Sequence, residues 1–351
     1  MRSVPESAPP ERLESFAPIM ISRRELIALA SAAALPAACT PHPAGLVRMG
    51  FMTNLTHAPA MLGLSSGRIE RAISLPIVPR SFRSGPRVVE ALVGNAIDVG
   101  VAGPAAIVYT HARHGAGVLR ILAGCSSGGA SFVVGRRSGI SGPADLRGKV
   151  LATPQIGTTQ DIALRKYLHA HGYRPAERGG DVTVHALDTN TILSEISRGG
   201  LDGAWLPEPW ATRVVIDADA IRLVDERDLW PDRRFPTALV VARGDFAAER
   251  APVAARIVSA MADEVDRAVH APDETREAAR IELSRLLGKS LSARLVGEAW
   301  RWVDFTSDPL ADQLETIARD ATDLGLAPPS TCRTLFSASA QPSALRHLSL
   351  F

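Results

Sequence analysis

Three short stretches of this chain put hydroxyls, glycine and bare backbone where helices begin. The first is KVLATPQIGTTQD, from Lys149 to Asp161. It reads as a strand (Val150, Leu151, Ala152), a turn marked by Pro154 and Gly157, and a helix capped by Thr158 or Thr159. A Ser or Thr cap oxygen accepts one of the N–H groups that a first helical turn leaves unpaired. The remaining N–H groups and the helix dipole favour an anion at that mouth. Gly157 leaves the backbone open to close approach. An ordinary capped turn would carry the same residues, so other stretches must be weighed with it. At Gly103-Pro104 a strand meets a helix with no bulky side chain at its mouth, a second anion seat. Ser126-Ser127-Gly128-Gly129-Ala130-Ser131 offers hydroxyls and bare backbone, suited to a hinge or to contact with a polyoxyanion.

Catalytic machinery is hard to find. The sequence has no G-x-S-x-G, no P-loop and no G-x-G-x-x-G. Asp161 and Glu208, the carboxylates nearest the seats, have no partner at a fixed spacing. His57 could act as a base or simply form hydrogen bonds in a loop. The three cysteines, Cys39, Cys125 and Cys332, form neither a C-x-x-C nor a His/Cys cluster, so no metal or other cofactor is expected. Cys125 sits in an apolar run and reads as a small buried residue.

Alternating strands and helices position these stretches. Apolar strands are expected at 46–52, 73–78, 97–102, 119–125, 132–134, 150–152, 182–187, 201–207 and 238–242. Between them lie helices opened by Pro59, by Ser84-Gly85-Pro86 and by Gly103-Pro104, proline being favoured in a first turn. Asn54, Thr56 or His57 could cap the first of these or face a ligand. Residues 246–327 show helical spacing. Such alternation predicts an α/β fold with mostly parallel sheets. From Pro328 onward the chain is Ser-, Ala- and Pro-rich without periodicity, which predicts a poorly ordered tail over 328–351.

The 351 residues are 46% hydrophobic and 22% charged, enough for two domains, and the formal net charge is +2. A balance so close to neutral gives no electrostatic footprint for nucleic acid. Residues 1–38 read as an N-terminal extension and export signal. Ser22-Arg23-Arg24-Glu25-Leu26-Ile27 resembles the twin-arginine motif and leads into an apolar run from Leu26 to Ala38. That run spans roughly 20 Å as a helix, short of the ~30 Å hydrocarbon core, so a removable signal fits better than a span. It ends Leu35-Pro36-Ala37-Ala38-Cys39, which looks like a bacterial lipobox with its large apolar residue one place early. Lipidation of Cys39 and cleavage nearby both remain open. Glu6, Glu11 and Glu14 suit no signal's basic start, which makes Met20 the expected initiator.

Several stretches then occur in one order: Thr56-His57-Ala58-Pro59, Gly103-Pro104, Ser127 to Val134, Thr153-Pro154-Gln155, Thr159-Gln160-Asp161, Asp202 to Ala211, and Val224 to Pro231. Together they resemble the solute-binding lipoproteins of bacterial ABC importers for aliphatic sulfonates, taurine and nitrate, over about Val47 to Leu326. The resemblance implies a periplasmic-binding-protein-like fold of two lobes, 46–130 with 237–327 and 131–236, joined by a two-strand hinge. It implies a small-molecule anion in the cleft, an ABC permease with its ATPase as partners, and a monomer outside the cytoplasmic membrane. Ligand contacts carried over from it fall on Asn54, Thr56, His57, Gly103, Ser127, Gly129, Gly157, Thr158, Thr159, Glu208 and Trp210. Cys125 and a shortened 67–74 stretch depart from the family pattern and bear on ligand identity.

Two other readings keep the fold. A neutral or cationic heterocycle such as a pyrimidine vitamin precursor could be the ligand: Glu208, between Pro207 and Pro209, with Trp205 and Trp210 would suit a flat cationic ring by charge and cation–π contact. An enzyme of pyrimidine synthesis would need a cofactor-anchoring lysine, and only Lys149, Lys166 and Lys289 exist.

Overall fold

A computed structural model describes residues 45–336. The export signal, Cys39, the choice of Met20 and residues 337–351 lie outside that range.

The chain opens with β1 (Val47–Met52), whose Val47 and Met49 are fully buried. Asn54 then caps a 3-10 turn by accepting from the Thr56 N–H, and α1 (Ala58–Ser65) follows with Pro59 in its first turn. The next stretch departs from expectation. Residues 68–73 form α2 (Arg68–Ile73), which stops at Ser74 with a left-handed φ of 54°, and β2 starts only at Ile77 (Ile77–Phe82). The apolar residues Ile73 and Leu75 suggest a strand, but Ile69 and Ile73 lie four apart and together face the core as a helix requires. Then come α3 (Gly85–Val93), β3 (Val99–Ala102) and α4 (Pro104–His114).

β4 (Leu119–Gly128) and β5 (Ala130–Gly135) are almost continuous, yet belong to different sheets. The break is Gly128–Gly129, with φ of 68° and 70°. A side chain is strained in that left-handed region, and a Cβ on Gly129 would meet Thr56 Cγ2 at 2.8 Å. The second sheet then collects β6 (Val150–Thr153), α5 (Thr159–Ala170), β7 (Thr183–Ala186), α6 (Thr189–Arg198), β8 (Gly203–Pro207), α7 (Trp210–Asp217) and β9 (Ala220–Asp225). Residues 226–235 carry the chain back to β10 (Pro236–Arg243). Four helices follow, α8 (Gly244–Glu249), α9 (Ala251–His270), α10 (Pro272–Leu287) and α11 (Ala293–Trp300), then the short β11 (Val303–Phe305) and α12 (Ala311–Asp323).

The first sheet has the order β11-β4-β10-β3-β1-β2 and the second β7-β6-β8-β5-β9. Pairs among β1, β2 and β3, and among β6, β7 and β8, are parallel, as right-handed strand–helix–strand units demand. Every pair made by β4, β5 or β10, the strands next to the crossings, is antiparallel. The sheets are therefore mixed, with less parallel pairing than the sequence suggests. The architecture is the two-sheet α/β fold of the periplasmic binding proteins.

The centre of the second sheet shows what holds it. Phe132 and Trp205, both fully buried, stack at 5.6 Å with 9° between their planes. Burying one such side chain is worth about 1.5–3 kcal/mol, and the stacking adds about 0.5–1.5 kcal/mol. The expected loose tail is corrected over its first part. Cys332 and Leu335 are buried in the core against α4, Phe336 bridges to Ile121, and the Thr331 carbonyl lies 2.9 Å from His111 Nε2. Two apolar side chains suffice to dock a segment whose overall composition looks unstructured.

Candidate functional site

The Lys149–Asp161 stretch folds as a strand, a turn and a Thr158-capped helix, with one addition. Thr158 caps α5, its Oγ1 accepting from Asp161 N at 3.4 Å. Asp161, which follows on the first turn, is fully buried. Its carboxylate accepts from Gly157 N at 3.1 Å, Thr153 Oγ1 at 3.3 Å and Arg165 Nε at 2.9 Å. The anion seat inside the Pro154–Gly157 turn is thus filled by the chain's own carboxylate. What remains for a ligand is the mouth of the helix at Thr159.

That mouth meets two others. Thr159 Oγ1 lies 3.5 Å from Ala105 N, in the first turn of α4. A Cβ on Gly103 would come within 3.2 Å of Thr159 Oγ1, and one on Gly85 within 3.3 Å of Gly103 N. The starts of α3, α4 and α5, two from the first sheet and one from the second, therefore converge on glycine and threonine. Larger side chains would hold them apart. Three helix starts lying this close together supply partial positive charge near Thr159 without a formal cation.

The other predicted residues fall into a second group around the crossing. Asn54 and Thr56 are buried and bonded to each other, and Thr56 packs on Gly129. His57 Nδ1 lies 3.4 Å from Met52 N, and burial pushes its imidazole down to about 3. It is held neutral, with Nδ1 engaged by the Met52 N–H. Ser127 Oγ accepts from Phe235 N at 3.2 Å, tying the two crossing segments together. Thr237 links the groups: its hydroxyl donates to the Gly128 carbonyl, and its own carbonyl would lie 3.8 Å from a Cβ on Gly103.

Glu208 joins the crossing through its backbone, its N–H donating to the Gly129 carbonyl at 2.8 Å, while its side chain and Trp210 lie in a separate set of contacts. Glu208 is fully buried, accepting from Arg222 Nη2 at 2.7 Å and from Thr212 N at 3.1 Å. Burial raises its carboxyl above the ordinary range against the pull of Arg222. Trp210 is flanked by Arg213 and Lys289, each cation 5.4 Å from the ring centroid. Protein cations thus already lie beside the Glu208 carboxylate and the Trp210 ring.

A cavity of about 470 Å3 begins at Thr159 and runs between α5, residues 226–231 and α12. Its walls are not legible in the sequence. Trp230 and Glu226 stand out there only as part of a longer motif, and Lys166 forms an ion pair with Asp320 across 154 positions. A groove of about 590 Å3 along α3 and α4 contains only Gly157 of the predicted residues. Among the described residues no group of His, Cys, Asp or Glu could hold a metal ion, and no helix is long and apolar enough to cross a membrane.

Comparison with known proteins decides the family. Residues 41–284 match the NMT1-like family. The chain belongs to the NMT1-like family. A Brucella abortus (strain 2308) protein described as a candidate binding protein is 28% identical over 233 residues, 66% of this chain and 68% of that one. The taurine-binding periplasmic protein of Escherichia coli K12 is 27% identical over 195 residues, 55% of this chain and 58% of its own. The alkanesulfonate-binding protein of Xanthomonas axonopodis pv. citri, solved with MOPS, superposes with a TM-score of 0.68 at 19% identity, covering 81% of this chain and 95% of that one. The periplasmic nitrate-binding protein of Synechocystis PCC 6803 reaches 0.72 at 16% identity, covering 88% and 90%. These relatives and neighbours are named for binding, not for catalysis.

Proposed function

We propose that this NMT1-like protein is the substrate-binding component of an ABC importer for a small organic anion of the sulfonate or taurine type. The observation that carries this reading is the convergence of three helix N-termini on Thr159, Gly103 and Gly85. A sulfonate is a permanent polyoxyanion, and N–H and O–H donors can hold it without a full counter-charge. The taurine- and alkanesulfonate-binding proteins named above support the same ligand class. In this reading the sheets are lobes, 46–130 with 237–327 and 131–236, that close on the ligand by bending at Gly128–Gly129 and 226–235. Asn54, Thr56, Ser127 and Gly129 shape the hinge side of the cleft, while Gly157 and Thr158 build the mouth of α5. The Arg222 guanidinium on Glu208 weighs against the pyrimidine-like alternative, which relies on that carboxylate.

Calorimetry with taurine, ethanesulfonate, larger sulfonates, nitrate and a pyrimidine tests the ligand class. At least one sulfonate should bind. Thr159→Val should weaken it about 10- to 150-fold, because a lost hydrogen bond to a charged group costs about 1.5–3 kcal/mol. Thr159→Ser should stay close to wild type. Binding of the pyrimidine alone, or an affinity indifferent to Thr159→Val, would sink the reading.

The partners follow as an ABC permease with its ATPase, reached by a monomer exported along the twin-arginine route and held at the membrane through Cys39. Replacing Arg23 and Arg24 together by lysine should leave the protein in the cytoplasm. Fractionation that still finds the double variant outside the cytoplasm would refute this route.

A further inference from the structure

We infer that the organic part of the ligand is an aromatic ring lying along α5 against Trp230. This rests on the proposed anion seat at Thr159 and extends it, because Thr159 stands at one end of the 470 Å3 cavity. From there the cavity follows a single stripe of α5, through Ile162, Ala163 and Lys166 to His171. Twelve residues of helix cover about 18 Å. Ligand cavities of about 300–1,000 Å3 suit compounds far larger than a two-carbon amine. An ethane-sized guest would leave most of this apolar wall uncovered, forfeiting the contacts that packing supplies.

The far wall is aromatic. Trp230 is half-buried, with Phe235 stacked on it at 5.6 Å and 17°. Beside it Glu226 is 1% exposed, its Oε2 accepting from Trp205 Nε1 at 2.6 Å. Burial pushes the Glu226 carboxyl up to about 8, so at neutral pH it carries a proton. A neutral acid does not repel an anion. At the rim Lys166 and Asp320 cancel each other, and Arg319 leaves a net positive edge. Together these features describe a slot for a flat anion, with the head at the helix mouths and the ring between Trp230 and Ile317.

Two probes with the same head group separate this inference from the proposed function: ethanesulfonate and 2-naphthalenesulfonate, titrated by calorimetry into the folded protein. Naphthalenesulfonate should bind at least tenfold more tightly. Trp230→Leu should remove most of that advantage while changing ethanesulfonate affinity less than about twofold. Because Trp230 also packs on Phe235, a second variant guards against misfolding. Ala163→Phe fills the slot from the α5 side and should exclude naphthalenesulfonate while sparing ethanesulfonate. Equal affinities for the two probes, or an advantage that survives both variants, would overturn the aromatic ligand and leave the anion seat standing. Failure of both probes to bind would overturn the anion class and this inference together.

Discussion

Arg222→Met is expected to cost about 3–5 kcal/mol of folding free energy, the range for stripping one partner from a buried ion pair. The guanidinium holds Glu208 at 2.7 Å and Thr212 Oγ1 at 2.9 Å, bonds to Ser131 Oγ, and lies 3.9 Å over the Trp302 ring. Glu208 is fully buried and its own N–H donates to the Gly129 carbonyl at 2.8 Å. Methionine matches the aliphatic stem of arginine but leaves that carboxylate without its cation in a site water cannot reach. Most of the loss should therefore come from Glu208, not from missing contacts. Adding Glu208→Gln to Arg222→Met should recover a substantial part of it, since a neutral amide needs no counter-charge. Urea unfolding at pH 7 reads both values. A single variant that loses less than about 1 kcal/mol would mean the pair is solvated and weak, as surface pairs are.

The second large effect is a stability profile with two limbs. His57 is held neutral by burial, its pKa lowered from 6.5 to about 3, so the unfolded chain binds an extra proton between those values. Stability from this group is full above pH 6.5 and is lost as pH falls toward 3. Glu226 works in the opposite sense. Its folded pKa is raised from 4.5 to about 8, so the folded state holds the extra proton. That contribution is full below pH 4.5 and is lost as pH rises through 8. The two slopes oppose each other between 4.5 and 6.5, giving a plateau, with a decline on either side. Each limb amounts to a few kcal/mol, because every tenfold change in proton affinity is worth about 1.36 kcal/mol. Glu208 is raised in the same direction as Glu226, so Glu226→Gln should make the upper limb shallower without abolishing it. His57→Gln should flatten the lower limb. Thermal midpoints from pH 3 to 9 check this. An upper limb unchanged in Glu226→Gln would show that its carboxyl is ionised in the fold.

Much of this fold is legible residue by residue. Val150 to Ala152 is continuous and apolar because a central strand is covered on both faces, and Thr158 caps the helix that follows. Where reading fails, the deciding contact is distant. β2 pairs in parallel with β1 at the sheet edge, so its middle residues are exposed and the apolar signal is confined to its ends, Ile77-Val78 and Phe82. β11 has three residues and exists only because β4 offers an edge. The site divides in the same way. Thr159 and Gly103 follow from local rules for helix starts. Nothing near Glu208 announces that Arg222, on another strand, will neutralise it, or that Trp210 will be flanked by Arg213 and Lys289. For Asp161 the expectation of no partner at a fixed spacing is corrected: Arg165 lies one helical turn beyond it, the spacing of an intrahelical ion pair.

The strand order carries a consequence for how the chain comes to be folded. In the first sheet β10 lies between β3 and β4, so those neighbours in sequence cannot be joined until residues 236–243 are available. The second sheet, by contrast, draws all five strands from residues 130–225. A chain emerging from the ribosome at about 5–20 residues per second therefore completes its middle before its beginning. For some seconds β1–β3 and β4 present open edges, which favour mispairing and aggregation. Closing the first sheet then sets the pace, since pairs of long sequence separation form slowly. Protection of amide hydrogens during refolding should accordingly appear first in β5, β6 and β8 and last in β3 and β10.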